Sequence, residues 1–191
     1  MPPKTAEALR EVNKSPNSLP DIEHLYLPLI KQLRLAKLRE ISSIYAVSEG
    51  IEHKLLSAAE RAGSVAELLA LLKSKRYPLT ALQRLLLYVL LEITAEQMKA
   101  FDDNGPLYAR VLAFNKNGRQ ILRSIKAHSS IPLITKSTSY LNSRQSRRTE
   151  LTDLQSMLSL DAFAAELYAL CFDPIRKFGS DFTASPLYIE I

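Results

Sequence analysis

Apolar residues recur at helical spacing through the first hundred positions. Ile51, Leu55, Ala58 and Ala59 share one face of a segment that follows Ser48 and stops at Gly63. Ser48 reads as an N-cap, so a helix is expected through Ala62, with Glu49 and Glu52 in a first turn whose dipole favours anions. Val65, Leu68, Leu69 and Leu72 repeat the spacing behind Ser64 and Glu67, an S/T-x-x-E/Q capping box. Thr80 with Gln83 predicts a helix through Ile93, and Thr94 with Gln97 a shorter one to about Phe101. Upstream, Pro20 and Asp21 open an apolar segment in which Pro28 suits the first turn of a helix running to about Ala36. Lys37 to Ser43 forms the next helix. Residues 1–18, with Pro2, Pro3, Asn13, Pro16 and Asn17, read as a linker or arm carrying a short helix around Thr5 to Val12.

The pattern changes after Gly105-Pro106. "LYARVLAF" alternates as a strand does, "NKNGRQILRSIKAH" has helical period with Ile121, Leu122 and Ile125 inside, and "SSIPLITK" is β-branched and extended. These pieces fit a small β-α-β excursion, or helix and loop laid on a bundle. Residues 137–150 form a polar Ser/Arg-rich loop. Helices resume over Leu151 to Leu158 and from Asp161, an N-cap, to Phe172; "GSDFTASPLYIEI" reads as an extended tail. The expected fold is mainly α. It is a helical bundle over 19–191 with at most a small β element around 107–135 and an extended C-terminal tail.

Composition sharpens this picture in two places. Only 5 of 191 residues are Gly, which suits helices. The single Cys171 excludes an internal disulfide and points to a reducing cytoplasm. No apolar run approaches the ~18 residues of a membrane span, and the N-terminus lacks a secretory pattern. The net charge is +5, but residues 101–150 carry 9 basic and 3 acidic side chains, and no acidic residue lies between Asp103 and Glu150. Long one-sign stretches favour a polyanionic partner.

Catalytic motifs are missing. His24, His53 and His128 stand far apart, one cysteine builds no zinc site, and there is no Walker loop, dinucleotide turn or Gly-x-Ser-x-Gly elbow. The residues describe a binding module more readily than an enzyme. Lys73, Lys75 and Arg76 crowd the start of the Thr80 helix, and no acidic residue lies between Glu67 and Glu92. Cations there oppose the helix dipole unless a phosphate sits with them. Tyr77 lies between them and the helix, placed to stack on an unpaired base; Arg84, one turn in, is a weaker member of the group. Arg110, Lys116 and Lys136 extend the set, and Arg119, Arg123 and Lys126 at i, i+4, i+7 share one helical face. All of these are candidate nucleic-acid-binding residues, and Lys73, Lys75, Arg76, Arg110, Arg119, Arg123 and Lys126 are expected to converge on one surface. A helical protein-interaction or dimerisation module serving a separate catalytic subunit is the rival reading.

"VSEGIEHKLLSAA", "SVAELLALLKSKRYPLTALQRLLLYVLLEI", "YARVLAFNKNGRQILRSIKAHSSIPLITK" and "DFTASPLYI" together resemble the C-terminal half of the bacterial tRNA(Met) cytidine acetate ligases. The resemblance covers Leu19 to Lys136 well and Leu151 to Ile189 more loosely. It implies an enzyme that activates acetate with ATP in an N-terminal nucleotidyltransferase-like domain. The enzyme then converts the wobble cytidine of elongator methionine tRNA to N4-acetylcytidine, with the C-terminal half helping to hold the tRNA. No His-x-Gly-His motif is present, and Pro78 and Ala113 stand where the family leads one to expect Thr and Gly. The resemblance therefore implies a tRNA-binding part without the nucleotidyltransferase domain, inactive alone and without a cofactor of its own. ATP would belong to the missing domain, and a homodimer is left open.

Overall fold

Leu29, Leu33, Leu55, Leu68, Leu72, Leu82 and Leu86 are almost solvent-free, and together they define what the first half of the chain folds around. The computed structural model describes residues 20–48, 50–142 and 151–190. The expected arm over 1–18 with its short helix, Glu49, and most of the 137–150 loop lie outside these residues. The chain divides into two compact units. One comprises the described part of Met1–Lys99 with Leu167–Lys177, and the other Ala100–Glu166 with Phe178–Ile191.

In the first unit a 3₁₀ turn at Ile22–Leu25 leads into α1 (Tyr26–Leu35), followed by α2 (Leu38–Ser43), α3 (Ile51–Arg61), α4 (Val65–Leu72) and α5 (Leu79–Leu91). α6 (Ala95–Asn104) follows and runs past the unit boundary. α1 packs on both α3 and α5, and α4 joins α3 to α5. The core is aliphatic, and each buried Leu contributes about 1.5–3 kcal/mol relative to exposure. The capping box forms at Thr94, and at Ser64 the hydroxyl half of it forms. The Ser64 hydroxyl accepts from the Glu67 N–H at 3.0 Å, and Thr94 Oγ1 from the Gln97 N–H at 3.1 Å. α4 gains a second cap, because the Glu23 carboxylate accepts from the Val65 and Ala66 N–H groups at 2.8 and 2.7 Å.

Several boundaries differ from the sequence reading. Gly50, in the left-handed region at φ 85°, is the N-cap of α3 in place of Ser48. A side chain at that φ is strained, so glycine outcompetes a hydroxyl cap here. α3 ends at Arg61 without using Gly63 as a stop; the Gly63 N–H donates to Glu67 Oε2 at 2.7 Å. α5 starts at Leu79 behind Pro78, so Thr80 is already inside the helix. Lys73 is the C-cap of α4, its N–H donating to the Leu69 carbonyl. Lys73 and Lys75 thus follow a helix C-terminus, where the dipole favours cations. The Lys54 ammonium adds a hydrogen bond to the Leu72 carbonyl at 2.8 Å.

The second unit is α/β. β1 (Ala109–Arg110) and β3 (Leu133–Ile134) pair in parallel, with α7 (Lys116–His128) in the connection between them. β2 (Ala113–Phe114) pairs in parallel with β4 (Leu187–Tyr188). α8 (Asp153–Leu170) is one continuous helix that crosses the unit boundary. Asp161 therefore lies inside a helix rather than capping one. The observed cap is Thr152, whose hydroxyl accepts from the Gln155 N–H at 3.3 Å. Ile134, Leu141 and Leu158 form a small core, with Tyr108, Tyr140, Leu154 and Phe182 against it.

The expected bundle with one β excursion and a loose tail is corrected by these parallel pairs. The tail supplies β4, and the chain forms two units with different architectures. Strands of two residues are too short to show a period in sequence, and parallel partners lie far apart along the chain. Ile121, Leu122 and Ile125 are not inside: Ile121 is 59% and Ile125 40% exposed. Among the described residues, no helix is long and apolar enough to cross a membrane.

Candidate nucleic-acid interface

α7 begins directly after β2. Asn115 stays extended, and its side-chain oxygen accepts from the Gly118 N–H at 2.8 Å, capping the helix. Asn is a common N-cap residue, so this start is readable in the sequence. Gly118 lies close to its neighbours: a Cβ there would sit 3.3 Å from both Asn115 Oδ1 and Phe114 Cβ. An open pocket of about 390 Å³ lies beside this junction, lined by Ala113, Phe114, Asn115, Gly118, Ile121, Leu122 and Ile189. Phe114 meets Tyr188 edge-on, with ring centroids 5.7 Å apart. The contribution of Ile189 had no sequence signal, because it depends on the parallel β2–β4 pairing.

Lys116, Arg119, Arg123 and Lys126 are all exposed along α7, and Lys136 is exposed at the start of the following 3₁₀ turn. Arg110 is different. Its guanidinium donates to Asp161 at 3.0 Å and to Asp181 at 2.6 Å, and its side chain is only 16% exposed. A second bond reaches the Asp181 carbonyl at 3.2 Å. Burial alone would lower its pKa, but the hydrogen bonds and charges of Asp181 and Asp161 outweigh that and raise it. Arg110 therefore ties β1 to α8 and to the segment before β4, and its charge is already matched.

Tyr108 completes this network. Burial first, then the Asp161 charge and hydrogen bond, push its phenol up to about 12. The unfolded chain releases such a proton first, so this unit should lose stability as pH rises from the ordinary tyrosine value of 10.0 through about 12. In an ultraviolet titration of the 8 tyrosines, Tyr108→Phe should remove the step that ionises last. An unchanged upper limb would show that another tyrosine carries it.

Lys73, Lys75, Arg76 and Arg84 are exposed in the first unit. Tyr77 is half-buried against that unit's core, and its hydroxyl donates to the Ser48 carbonyl at 3.0 Å. The Arg76 guanidinium lies 5.7 Å from its ring centroid. Tyr77 anchors the α4–α5 loop; it is not an open stacking platform. The cations expected to form one surface come from both units: Lys73, Lys75 and Arg76, with Arg84, belong to the first, and Arg110, Arg119, Arg123 and Lys126, with Lys116 and Lys136, to the second. Neither set contains a catalytic constellation, and no metal-competent cluster of His, Cys, Asp or Glu occurs among the described residues.

A family model described as HIGH Nucleotidyl Transferase matches residues 1–181. The chain belongs to that family. It is 35% identical to a tRNA(Met) cytidine acetate ligase of Syntrophomonas wolfei, over 83% of this chain and 38% of the relative. It is 33% identical to the ligase of the same name from Halothermothrix orenii, over 93% of this chain and 42% of that one. The chain thus spans about two-fifths of the curated relatives it matches. Among solved structures, Thermotoga maritima TmcAL in its apo form aligns with a TM-score of 0.82 and 25% identity, over 100% of this chain and 46% of that one. TmcAL bound with alpha-thio ATP aligns at 0.83 and 24% identity, over 100% and 47%.

These matches correct the sequence analysis. The expected C-terminal half lacking the nucleotidyltransferase is overturned, because the nucleotidyl transferase model runs across nearly all of the chain. The assignment of ATP to a separate domain falls with it, and so do the readings as a tRNA-holding part alone or as an interaction module. The mainly α class gives way to the α/β fold that the whole chain shares with TmcAL. The missing His-x-Gly-His motif is one short feature. A family match is instead spread over the many positions that build the packed elements.

Proposed function

We propose that the chain acts in the ATP-driven ligation of acetate to a cytidine of a methionine tRNA. The carrying observation is the 35% identity to a tRNA(Met) cytidine acetate ligase over 83% of this chain, and the nucleotidyl transferase family assignment supports it. ATP enters as a substrate. An acetate oxygen attacks the α-phosphorus and pyrophosphate leaves. The exocyclic amine of cytidine then attacks the acetyl carbon, loses a proton, and AMP leaves with the former carboxylate oxygen. Activation is needed because a carboxylate alone has no adequate leaving group for an aromatic amine. The proposed compartment is the cytoplasm, where the lone Cys171 stays reduced.

Within this reaction, the part proposed for the exposed cations is to hold tRNA phosphates. Lys73, Lys75, Arg76 and Arg84 serve this from the first unit, and Lys116, Arg119, Arg123, Lys126 and Lys136 from the second. Such contacts position the substrate without reading its bases. The decisive experiment is transfer of labelled acetate to methionine tRNA by the protein that carries this sequence. Transfer should require ATP and yield acetylated cytidine; transfer without ATP, or to another base, would overturn the reading. Replacing Lys73 and Lys75 by Ala should weaken tRNA binding about tenfold and flatten the salt dependence by about two units. Stability should stay within about 0.5 kcal/mol, as for most surface changes.

A further inference from the structure

α7 carries an apolar stripe that its own unit leaves uncovered. None of its residues is buried, and Ile121 and Ile125 face solvent. The stripe forms one wall of the open pocket whose other walls are Ala113 and Phe114 of β2 and Ile189 beyond β4. An apolar pocket of about 390 Å³ with an aromatic wall accommodates a flat ring system. Two cations neighbour one of its wall residues. Leu122, a wall residue, stands i+3 from Arg119 and i−4 from Lys126, so those two side chains are its neighbours on the helix surface.

We infer that this pocket receives an unpaired nucleobase of the bound RNA, while Lys116, Arg119, Arg123 and Lys126 hold the flanking phosphates. The inference rests on the proposed tRNA reading and adds a base-contacting site to it. Charge complementarity selects the occupant. α7 itself carries no carboxylate, since none lies between Asp103 and Glu150 in the sequence. From Lys116 to Lys126 the cations extend along about 15 Å of helix, at 1.5 Å per residue. That length matches successive phosphates of a strand rather than a single triphosphate. A protein partner seated on the stripe would gain nothing from the like charges of Arg119 and Lys126 beside it unless it were itself strongly acidic.

The test is fluorescence anisotropy of a labelled methionine tRNA transcript against wild type, Ile121→Glu and the pocket-filling Ala113→Leu. Ile121 is 59% exposed and Ala113 is exposed, so neither change removes core packing; circular dichroism checks that both variants are folded. Loss of one base contact should weaken binding about tenfold in each variant. For Ala113→Leu the salt slope should stay as in wild type, because no phosphate contact is touched. Normal tRNA affinity in both folded variants would overturn the base pocket while leaving the tRNA reading standing. Failure of wild type to bind any tRNA would instead remove the reading beneath it. Two further results also count against the inference. One is displacement of a pocket-bound probe by millimolar ATP but not by tRNA. The other is a change of self-association in Ile121→Glu with RNA affinity intact.

Discussion

Replacing Lys116, Arg119, Arg123 and Lys126 together by Gln is expected to weaken methionine-tRNA binding by about a hundredfold at moderate salt. Each exposed charge-assisted contact is taken at about 0.7 kcal/mol, toward the low end for hydrogen bonds, and 1.4 kcal/mol is a factor of ten. The salt slope should fall by about 3, since each lost phosphate contact removes roughly 0.7–0.9. The four side chains are exposed and lie on one helix, so folding should be preserved. Gln keeps the length and helix propensity of the replaced residues, which isolates the charge. Titrations at several salt concentrations provide the measurement. A variant that binds with unchanged affinity and slope would return this face to ordinary solvated charge.

Arg110→Met is expected to behave in the opposite way. It should destabilise the second unit by about 2–3 kcal/mol, which is below the 3–5 typical of a fully buried pair because the two carboxylates are partly hydrated. Asp161 and Asp181 are 41% and 35% exposed, against 16% for Arg110. Removing the guanidinium leaves both carboxylates near one another without a counter-charge, and their repulsion adds to the lost hydrogen bonds. Asp161→Asn with Arg110→Met should recover part of the loss, because one of the two stranded charges is gone. Denaturant unfolding followed by a probe in the second unit measures both variants. Under conditions where the protein stays folded, tRNA affinity should change little, since this cation already serves Asp161 and Asp181. A large loss of affinity without loss of stability would restore Arg110 to the binding face.

The aliphatic periodicity of Val65 to Leu72 and the Ser64 cap were legible in the sequence because each depends on residues within one turn of each other. The same locality made Lys116 to His128 recognisable as a helix with its cations on one face. What tertiary structure decided are the relations over long separations. Glu23 caps a helix more than forty residues away. β2 finds its partner only at Leu187–Tyr188, and that pairing brings Ile189 to the pocket. Arg110, one cation among many in the sequence, becomes a fastening because the fold brings Asp161 and Asp181 to it. Lys73 reversed its meaning when α4 proved to end one residue before it, so that a charge read as opposing one helix in fact completes another. Local spacing determines which residues share a turn. Which charges remain available to a ligand depends on which partners the chain brings within about 3 Å, and the free energy of that choice belongs to the packed whole.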